Sequence, residues 1–159
     1  MDTVYATTER LYPHYCRVWG ASAYEFWGFD WLTYDPWEYG WHCYRPESQR
    51  PGESRWVRYP AGDGYLVYPP KPGISDGYSS SIRLEAARDG VEDYSYLRAL
   101  ERLTEKGGER GKSAAALLEE HRRLLPIPNA GGRYSSRILS DPEILDRLRH
   151  RAGELLGAN

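Results

Sequence analysis

The chain has 159 residues, a length that favours one domain with a core of its own. Its formal net charge is −2 and no basic stripe runs along it, which argues against nucleic acid as a partner. No apolar run approaches the roughly 20 residues needed to span a membrane, and the amino terminus lacks the apolar segment of a signal peptide. We therefore expect a soluble chain of unknown cellular location.

The first predicted elements are a helix over residues 3–19, stopped by Gly20, and a strand over residues 23–27. The alternation of the strand places Glu25 on the same face as Trp27. A carboxylate on a short buried strand is costly unless it is paired or lines a water-filled site. Glu25 is therefore a candidate site residue, and a structural salt bridge to an arginine is the alternative.

Residues 24–41 combine indole rings with carboxylates and form the most informative stretch of the chain. Its tryptophans are Trp27, Trp31, Trp37 and Trp41, and its carboxylates are Glu25, Asp30, Asp35 and Glu38. A sugar ring stacks its C–H face on indole while its hydroxyls donate to carboxylates. The 14 tyrosines against 2 phenylalanines also suit a wet cleft. The stretch predicts a saccharide site, with an aromatic core under a long loop as the alternative.

The next segment, residues 30–63, contains several prolines and reads as a long irregular loop. Loops of this length are usually functional or disordered, and the tryptophans argue for an ordered lid or wall. A second short strand is predicted over residues 64–69. A turn rich in Gly and Ser follows, and a helix begins near Ser80 or Ser81, with Arg83 in its first turn facing the end of the strand.

The last half of the chain reads as helical scaffold. The long helix has an apolar stripe to Leu103, its Gly90 marks a bend or interruption, and its Arg88, Asp89 and Asp93 read as a solvated face. Residues 104–113 predict a flexible linker and residues 114–125 a short helix. Ser140, Asp141, Pro142 and Glu143 together predict the start of a final helix that ends at Gly157.

Two pairs of residues have side chains of the types that bind zinc. They are His14 with Cys16 and His42 with Cys43. Neither pair has the usual spacing of zinc ligands, and adjacent ligands strain to reach one ion. We therefore expect no metal site and no cofactor, and we expect free thiols.

The order of these elements is that of a parallel α/β sheet, in which site residues follow the carboxyl ends of strands. Residues 30–41 and 70–83 both follow predicted strands, so we expect them at the same rim. Two strands are too few for a closed barrel, which takes eight. The chain therefore reads as the end of a larger barrel.

Three runs in this order, ASAYEFWGFDWLTYDPW, GDGYLVYP and SIRLEAARDGVEDYSYL, resemble the C-terminal part of the glycoside hydrolase family 123 catalytic domain. That family includes β-N-acetylgalactosaminidases and barrels formerly known as a domain of unknown function. The resemblance implies the C-terminal portion of a (β/α)8 TIM-type barrel, with residues 1–106 as its last two strands and their helices. Residues 107–159 would form a C-terminal helical extension.

The resemblance also implies a function. Such enzymes hydrolyse N-acetylhexosamine-containing glycans by substrate-assisted catalysis, in which an adjacent Asp-Glu pair orients the substrate amide and protonates the leaving oxygen. The adjacent acids Glu92 and Asp93 stand in reversed order and match the helix motif of the family rather than its catalytic pair. We therefore expect that the catalytic acids lie outside this chain and that the missing N-terminal part of the barrel is a partner.

By position, the resemblance implies that this chain contains residues of the family's sugar pocket. Its expected substrate-binding residues are Glu25, Trp27, Asp30, Trp31, Trp37, Tyr68 and Arg83. We expect Trp27 or Trp31 to form the apolar wall and Asp30 to accept from a hydroxyl. The leading hypothesis is the C-terminal segment of a glycoside hydrolase that acts on N-acetylhexosamine-containing glycans, and we expect this segment to be inactive alone because it lacks the catalytic Asp-Glu pair. The alternative is a non-catalytic carbohydrate-binding or scaffold remnant of such a barrel.

Overall fold

Helices make up most of the described chain, and its strands are short. The structure is a computed structural model that describes residues 7–26, 28–30, 35–39, 64–125 and 139–158, with the backbone alone at residues 44–46 and 56–58. The helices are α1 (Thr8–Trp19), α2 (Pro36–Tyr39), α3 (Ile82–Lys106), α4 (Gly108–Leu124) and α5 (Pro142–Gly157). The strands are β1 (Tyr44–Pro46), β2 (Trp56–Arg58), β3 (Val67–Tyr68) and β4 (Ser79–Ser80). Within these ranges, none of the helices is long and apolar enough to cross a bilayer.

Helix α1 ends where the sequence predicts. Gly20 takes a left-handed conformation with φ of 68°, which a residue without a Cβ adopts at little cost. Its N–H donates to the carbonyl of Arg17 at 3.3 Å, and the N–H of Ala21 donates to the carbonyl of Cys16 at 2.8 Å. These two bonds form a Schellman motif that satisfies the last carbonyls of the helix.

The predicted strand over residues 23–27 is wrong for the part that the structure describes. Residues 23–26 have no regular secondary structure, and Glu25 is exposed. Backbone pairing starts only after Gly28, where Leu66 N–H donates to the carbonyl of Phe29 at 2.8 Å and Asp30 bridges Tyr65.

Strand β3 lies inside the predicted second strand but pairs differently from a parallel barrel. It runs antiparallel to β4, with Val67 opposite Ser80 and Tyr68 opposite Ser79. The connection over residues 69–78 is shorter than the roughly dozen residues of a parallel crossover, so the chain folds back as a hairpin. Strands β1 and β2, inside the segment predicted as irregular, are also antiparallel. The chain is therefore a mixed helix-and-strand chain.

Helix α3 begins as predicted, with Ser81 as its cap. The Ser81 hydroxyl oxygen accepts from the backbone N–H of Arg83 and of Leu84, both at 3.2 Å. The predicted interruption at Gly90 is wrong, since the helix is continuous there. Gly90 instead allows a close approach of α1: a Cβ at this position would lie 2.3 Å from the carbonyl oxygen of Arg10.

The flexible linker predicted over residues 104–113 is also wrong. Helix α3 runs to Lys106, and α4 starts at Gly108, so Gly107 alone separates them. Gly107 and Gly108 both have φ of 72°, which reverses the chain in a tight turn. The charged residues that suggested a linker lie on exposed helix turns. Helix α5 starts as predicted, with the Asp141 carboxylate accepting from Glu143 N–H at 3.0 Å and Pro142 in the first position.

The residues form two compact units. The strand unit comprises Met1–Val4 and Glu25–Glu85, and the helical unit comprises Tyr5–Tyr24 and Ala86–Asn159. The hydrophobic cluster of the described residues lies in the helical unit. Its buried members are Leu11, Leu97, Leu100, Ala114, Leu117, Leu118, Leu125, Leu145, Leu148 and Ala152. The expected division between residues 106 and 107 stays a prediction.

Candidate functional site

In the strand unit, Trp37 and Tyr68 form an aromatic pair beside β3. The start of α2 positions Trp37, because its backbone N–H donates to the Asp35 carboxylate at 2.8 Å. Its indole N–H donates to the carbonyl of Pro69 at 3.3 Å, directly after β3. The centroids of the Trp37 and Tyr68 rings are 6.2 Å apart with an interplanar angle of 42°. Trp37 nevertheless keeps 39% of its surface exposed, so part of the indole is accessible to a ligand.

Asp30 presents a carboxylate in the same unit. The hydroxyl of Tyr78 donates to Oδ2 of Asp30 at 2.7 Å, and this bond raises the pKa of the Tyr78 phenol. Tyr78 lies in the connection that returns from β3 to β4. A carboxylate has about four acceptor positions, so one tyrosine does not exhaust it. Asp30 can still accept from a sugar hydroxyl.

Lys71 adds a cation to this group of side chains. Its Nζ lies 4.6 Å from the centroid of the Trp37 ring, a cation–π geometry. The turn that begins at Lys71 is closed by its carbonyl, which accepts from the N–H of Ile74 at 2.9 Å and of Ser75 at 3.0 Å. A sugar can therefore stack only where Lys71 leaves the indole accessible. These side chains form two contact groups in the strand unit: Trp37 with Tyr68 and Lys71, and Asp30 with Tyr78. We call the two groups together the β3 cluster.

The other predicted site residues are placed less favourably. Glu25 is exposed and is not the buried strand carboxylate expected from the alternation. Arg83 is half-buried in the first turn of α3, in the position predicted for it. Trp27 and Trp31 lie outside the described residues. Of the predicted set, the structure brings Trp37 and Tyr68 together and places Asp30 on Tyr78.

Lys71 and Tyr78 were not predicted as site residues from the sequence. The Gly- and Ser-rich turn that contains them was interpreted only as a connection to α3. Their positions depend on the antiparallel return of the chain from β3 to β4, and no single residue of that turn predicts this return. A prediction that the chain forms a hairpin at this turn could have identified Tyr78.

A buried ionic network lies in the helical unit, around Asp93 of α3. Its carboxylate accepts from Arg10 Nε at 2.7 Å, from His14 Nε2 at 3.0 Å and from Arg149 Nε. Burial opposes ionisation of Asp93, but the hydrogen bonds from His14, Arg10 and Arg149 outweigh it and lower its pKa from 3.8 to about 2. We call Arg10, His14, Asp93, His121 and Arg149 the Asp93 network.

The interpretation of Asp93 as part of a solvated face is therefore wrong, since it is 3% exposed. The signal was present in the spacing: Asp93 lies three residues after Gly90 and four before Leu97, which puts it on the buried stripe of α3. Asp93 was interpreted as exposed because it is charged, although its position in the helix indicates burial. Arg88 is exposed, as the prediction of a solvated face requires, and it pairs with the exposed Glu92 at 3.8 Å.

His14 and Cys16, the first pair with side chains of zinc-binding type, both lie on α1. His14 Nε2 contacts Asp93, and its Nδ1 lies 2.8 Å from Nε2 of His121. Cys16 is a buried free thiol. The described ranges contain no group of three or more metal-binding side chains. His42 and Cys43 lie outside the described residues.

Comparison with known proteins places the chain in a family. The family model described as glycoside hydrolase 123, catalytic domain, matches residues 8–100, which is more than half of the chain. The match includes α1, the β3 cluster and most of α3. No curated protein matches the chain. On the strength of that match, the chain belongs to the glycoside hydrolase 123 catalytic-domain family.

Proposed function

We propose that this chain binds N-acetylhexosamine residues of a glycan, as part of a glycoside hydrolase that uses substrate-assisted hydrolysis. The observation that most supports this proposal is the β3 cluster in a chain of this family. Its partly exposed indole offers an apolar surface for the C–H face of a sugar, and Asp30 offers an acceptor for a hydroxyl. Trp37 and Tyr68 would form the apolar wall, with Asp30 as the orienting carboxylate.

The proposal assigns no acid–base role to the adjacent acids of α3. A general acid must hold a proton near the working pH, and it must reach the leaving oxygen. Asp93 is buried, accepts from Arg10, His14 and Arg149 and has its pKa lowered to about 2, so it meets neither requirement. Glu92 bonds Arg149 Nη1 at 3.3 Å, as a structural ion pair does. We propose that the catalytic acids come from another polypeptide segment that completes the barrel.

In this proposal β3 corresponds to the last strand of a (β/α)8 barrel, and Lys71 and Tyr78 of the β3 cluster follow its carboxyl end. Site residues in such barrels are found after the carboxyl ends of strands. Family membership and the position of Tyr68, Pro69 and Lys71 directly at or after β3 support this correspondence.

A non-catalytic carbohydrate-binding protein is the second candidate. It is favoured because Glu92 and Asp93 form ion pairs. A chain whose adjacent acids are used in this way would bind a sugar without hydrolysing it. Both candidates predict sugar binding by the β3 cluster. They differ in whether addition of the completing barrel segment restores hydrolysis of an aryl N-acetylhexosaminide.

Titration of tryptophan fluorescence with N-acetylgalactosamine and N-acetylglucosamine tests the binding. We expect the wild-type chain to show a saturable change and W37A to bind at least about fivefold more weakly, since a stacked ring contributes on the order of 1 kcal/mol. Trp19 provides the matched control, because it is also exposed but lies on α1 in the helical unit.

The W19A variant should retain the wild-type affinity. A wild-type chain that shows no saturable response to either sugar, or equal affinities for W37A and wild type, contradicts the proposed site.

A further inference from the structure

Lys71 places a cation against the indole on which the proposed sugar site depends. Its Nζ lies 4.6 Å from the centroid of the Trp37 ring. In the described part of the chain, no carboxylate forms an ion pair with this ammonium and no protein oxygen accepts a hydrogen bond from it. An ammonium has three N–H donors. Its capacity to donate to a ligand oxygen is therefore unused.

Hydrogen bonds hold both partners of this contact. The indole N–H of Trp37 donates to the carbonyl of Pro69 at 3.3 Å, two residues before Lys71. The backbone N–H of Lys71 donates to the hydroxyl of Ser75 at 3.3 Å, and its carbonyl accepts from the N–H of Ser75 at 3.0 Å. The Ser75 hydroxyl in turn donates to the carbonyl of Gly77 at 3.2 Å. These bonds keep the backbone of Lys71 beside the ring, so its ammonium stays within reach of a ligand that stacks there.

The carboxylates of the β3 cluster and its surroundings have other partners. Asp35 accepts from the backbone N–H of Trp37 at 2.8 Å, and Asp30 accepts from the hydroxyl of Tyr78 at 2.7 Å. The chain as a whole has a net charge of −2, so its overall charge does not attract an anionic ligand. A preference of the site for such a ligand must therefore come from a local cation, and Lys71 is the cation in contact with Trp37.

The chemistry of this cation favours a negatively charged sugar over a neutral one. A sugar that stacks on Trp37 carries its exocyclic oxygens around the edge of the ring, where the Lys71 ammonium can donate to them. A hydroxyl accepts an ordinary hydrogen bond, whereas a sulfate ester or a carboxylate accepts a charge-assisted bond that is roughly twice as strong. An oxyanion also provides the counter-charge that Lys71 does not find among the described carboxylates.

We propose that Lys71 determines the specificity of the sugar site, and that the site selects N-acetylhexosamine glycans that carry an oxyanion. This inference rests on the proposed function, because it requires a sugar to stack on Trp37. A sulfate ester on the stacked sugar and the carboxylate of a neighbouring uronic acid share the chemistry that Lys71 recognises, which is a negatively charged oxygen acceptor beside the ring. The inference concerns binding and adds no chemical step.

Isothermal titration calorimetry of the full chain at low ionic strength tests the specificity. The titrants are N-acetylgalactosamine, its 6-sulfate, and the disaccharide of glucuronic acid and N-acetylgalactosamine. We expect at least one of the two anionic sugars to bind about fivefold more tightly than the neutral one. The one that binds more tightly identifies the source of the oxyanion. Added salt should weaken this preference and leave the affinity for the neutral sugar unchanged, because salt screens charges.

The informative variant is Lys71→Met, which removes the charge and keeps an unbranched apolar side chain. K71M should bind the anionic and neutral sugars with equal affinity, whereas K71R should keep the preference because it keeps the charge. The matched control is Lys112→Met. Lys112 is an exposed lysine on α4 in the helical unit, paired with Glu109 at 2.7 Å. K112M should retain the wild-type preference.

The results separate this inference from the proposed function. If the wild-type chain binds all three sugars with equal affinity and W37A binds them more weakly, the sugar site stands and the role of Lys71 is overturned. A preference that persists in full in K71M or in W37A also overturns that role, since the anion would then bind elsewhere. If none of the three sugars binds, the proposed function itself fails, and this inference fails with it.

Discussion

Asp93 shows how one carboxylate can determine the packing of several helices. It accepts from Arg10 and His14 of α1 and from Arg149 of α5 while it is itself on α3. Three helices therefore meet at one buried charge. Buried ion pairs are costly to form, but removal of one partner leaves the other charges uncompensated.

The substitution Asp93→Asn tests this role. It should lower the free energy of unfolding by about 3 to 5 kcal/mol, because the buried guanidinium of Arg10 and the partly buried one of Arg149 lose the carboxylate that they share. Urea unfolding at neutral pH measures the loss. The matched control is Asp89→Asn on the same helix, where the carboxylate is 36% exposed and lies 3.6 Å from Arg149.

D89N should lose no more than about 1 kcal/mol, as is usual for an exposed ion pair. A loss of similar size in D93N and D89N would show that burial of Asp93 does not have the energetic role described above.

For single residues, the sequence predicts the position of a side chain on its helix better than it predicts which residues that side chain contacts. The spacing of α3 places Asp93 on its buried stripe, and the same reasoning places His121 of α4 between Leu117 and Leu125, the residue that follows α4. Which charges meet there depends on the packing of α1, α4 and α5 against α3. That packing brings together residues that are far apart in the sequence, and one sequence contains no record of it.

Among the elements, α1 and α3 make the closest backbone approach in the helical unit. Gly90 has room for no side chain, since a Cβ would lie 2.3 Å from the carbonyl oxygen of Arg10. In α5, Gly153 presents the opposite case. A Cβ there would meet only the Tyr96 ring at an ordinary 3.8 Å.

Substitution of these two glycines by alanine should change the stability of the chain in opposite directions. Gly90→Ala should destabilise the chain by about 1 to 3 kcal/mol, because two backbones must move apart and the loss exceeds the gain in helix propensity. Gly153→Ala should stabilise it by up to about 1 kcal/mol, since alanine favours the helix and nothing obstructs it. Thermal and urea unfolding of both variants provide the measurement.

If both substitutions stabilise the chain, the approach of α1 to α3 is looser than described. If both destabilise it, the space beside Gly153 is smaller than described.

Local signals predict the ends of elements well in this chain and predict pairing poorly. Gly20, Ser81 and Asp141 mark helix ends by backbone chemistry within a few residues, and the structure confirms all three. The described part of the strand over residues 23–27 was wrong and the parallel order is not confirmed by the described strands, because pairing depends on a partner strand. The linker over residues 104–113 was wrong for a further reason: exposed charges look alike on a helix and in a loop.

For the whole molecule, the division into two units implies unequal stability. The described hydrophobic cluster belongs to the helical unit. The described ladder of the strand unit between β3 and β4 comprises two residue pairs. Regions with few buried apolar contacts open at lower free energy than the core of a domain.

Hydrogen exchange should reveal this difference. After normalisation to the exchange rates of the unfolded chain, amides of α4 should exchange more than about tenfold more slowly than those of β3 and β4. Mass spectrometry of peptic fragments is the measurement. Equal protection of the two regions would indicate that the chain unfolds as one cooperative body.

The sugar site stays a prediction. Of its expected residues, the structure brings Trp37 and Tyr68 together and places Asp30 on Tyr78, whereas the reason given for Glu25 was wrong. Lys71 and Tyr78 depend on the hairpin, and the places of Trp27 and Trp31 in the site stay predictions.

The hydroxyl of Ser81 has one more implication. It donates to the carbonyl of Leu66 at 2.6 Å while its oxygen accepts from two helix amides, so the hydrogen-bonding capacity of this oxygen is fully used. Ser81 is also the one residue between β4 and α3. Alanine offers no oxygen, and a longer polar side chain would displace the turn. A small hydroxylated residue at the equivalent position should therefore serve as a diagnostic mark by which distant homologues with this junction can be identified.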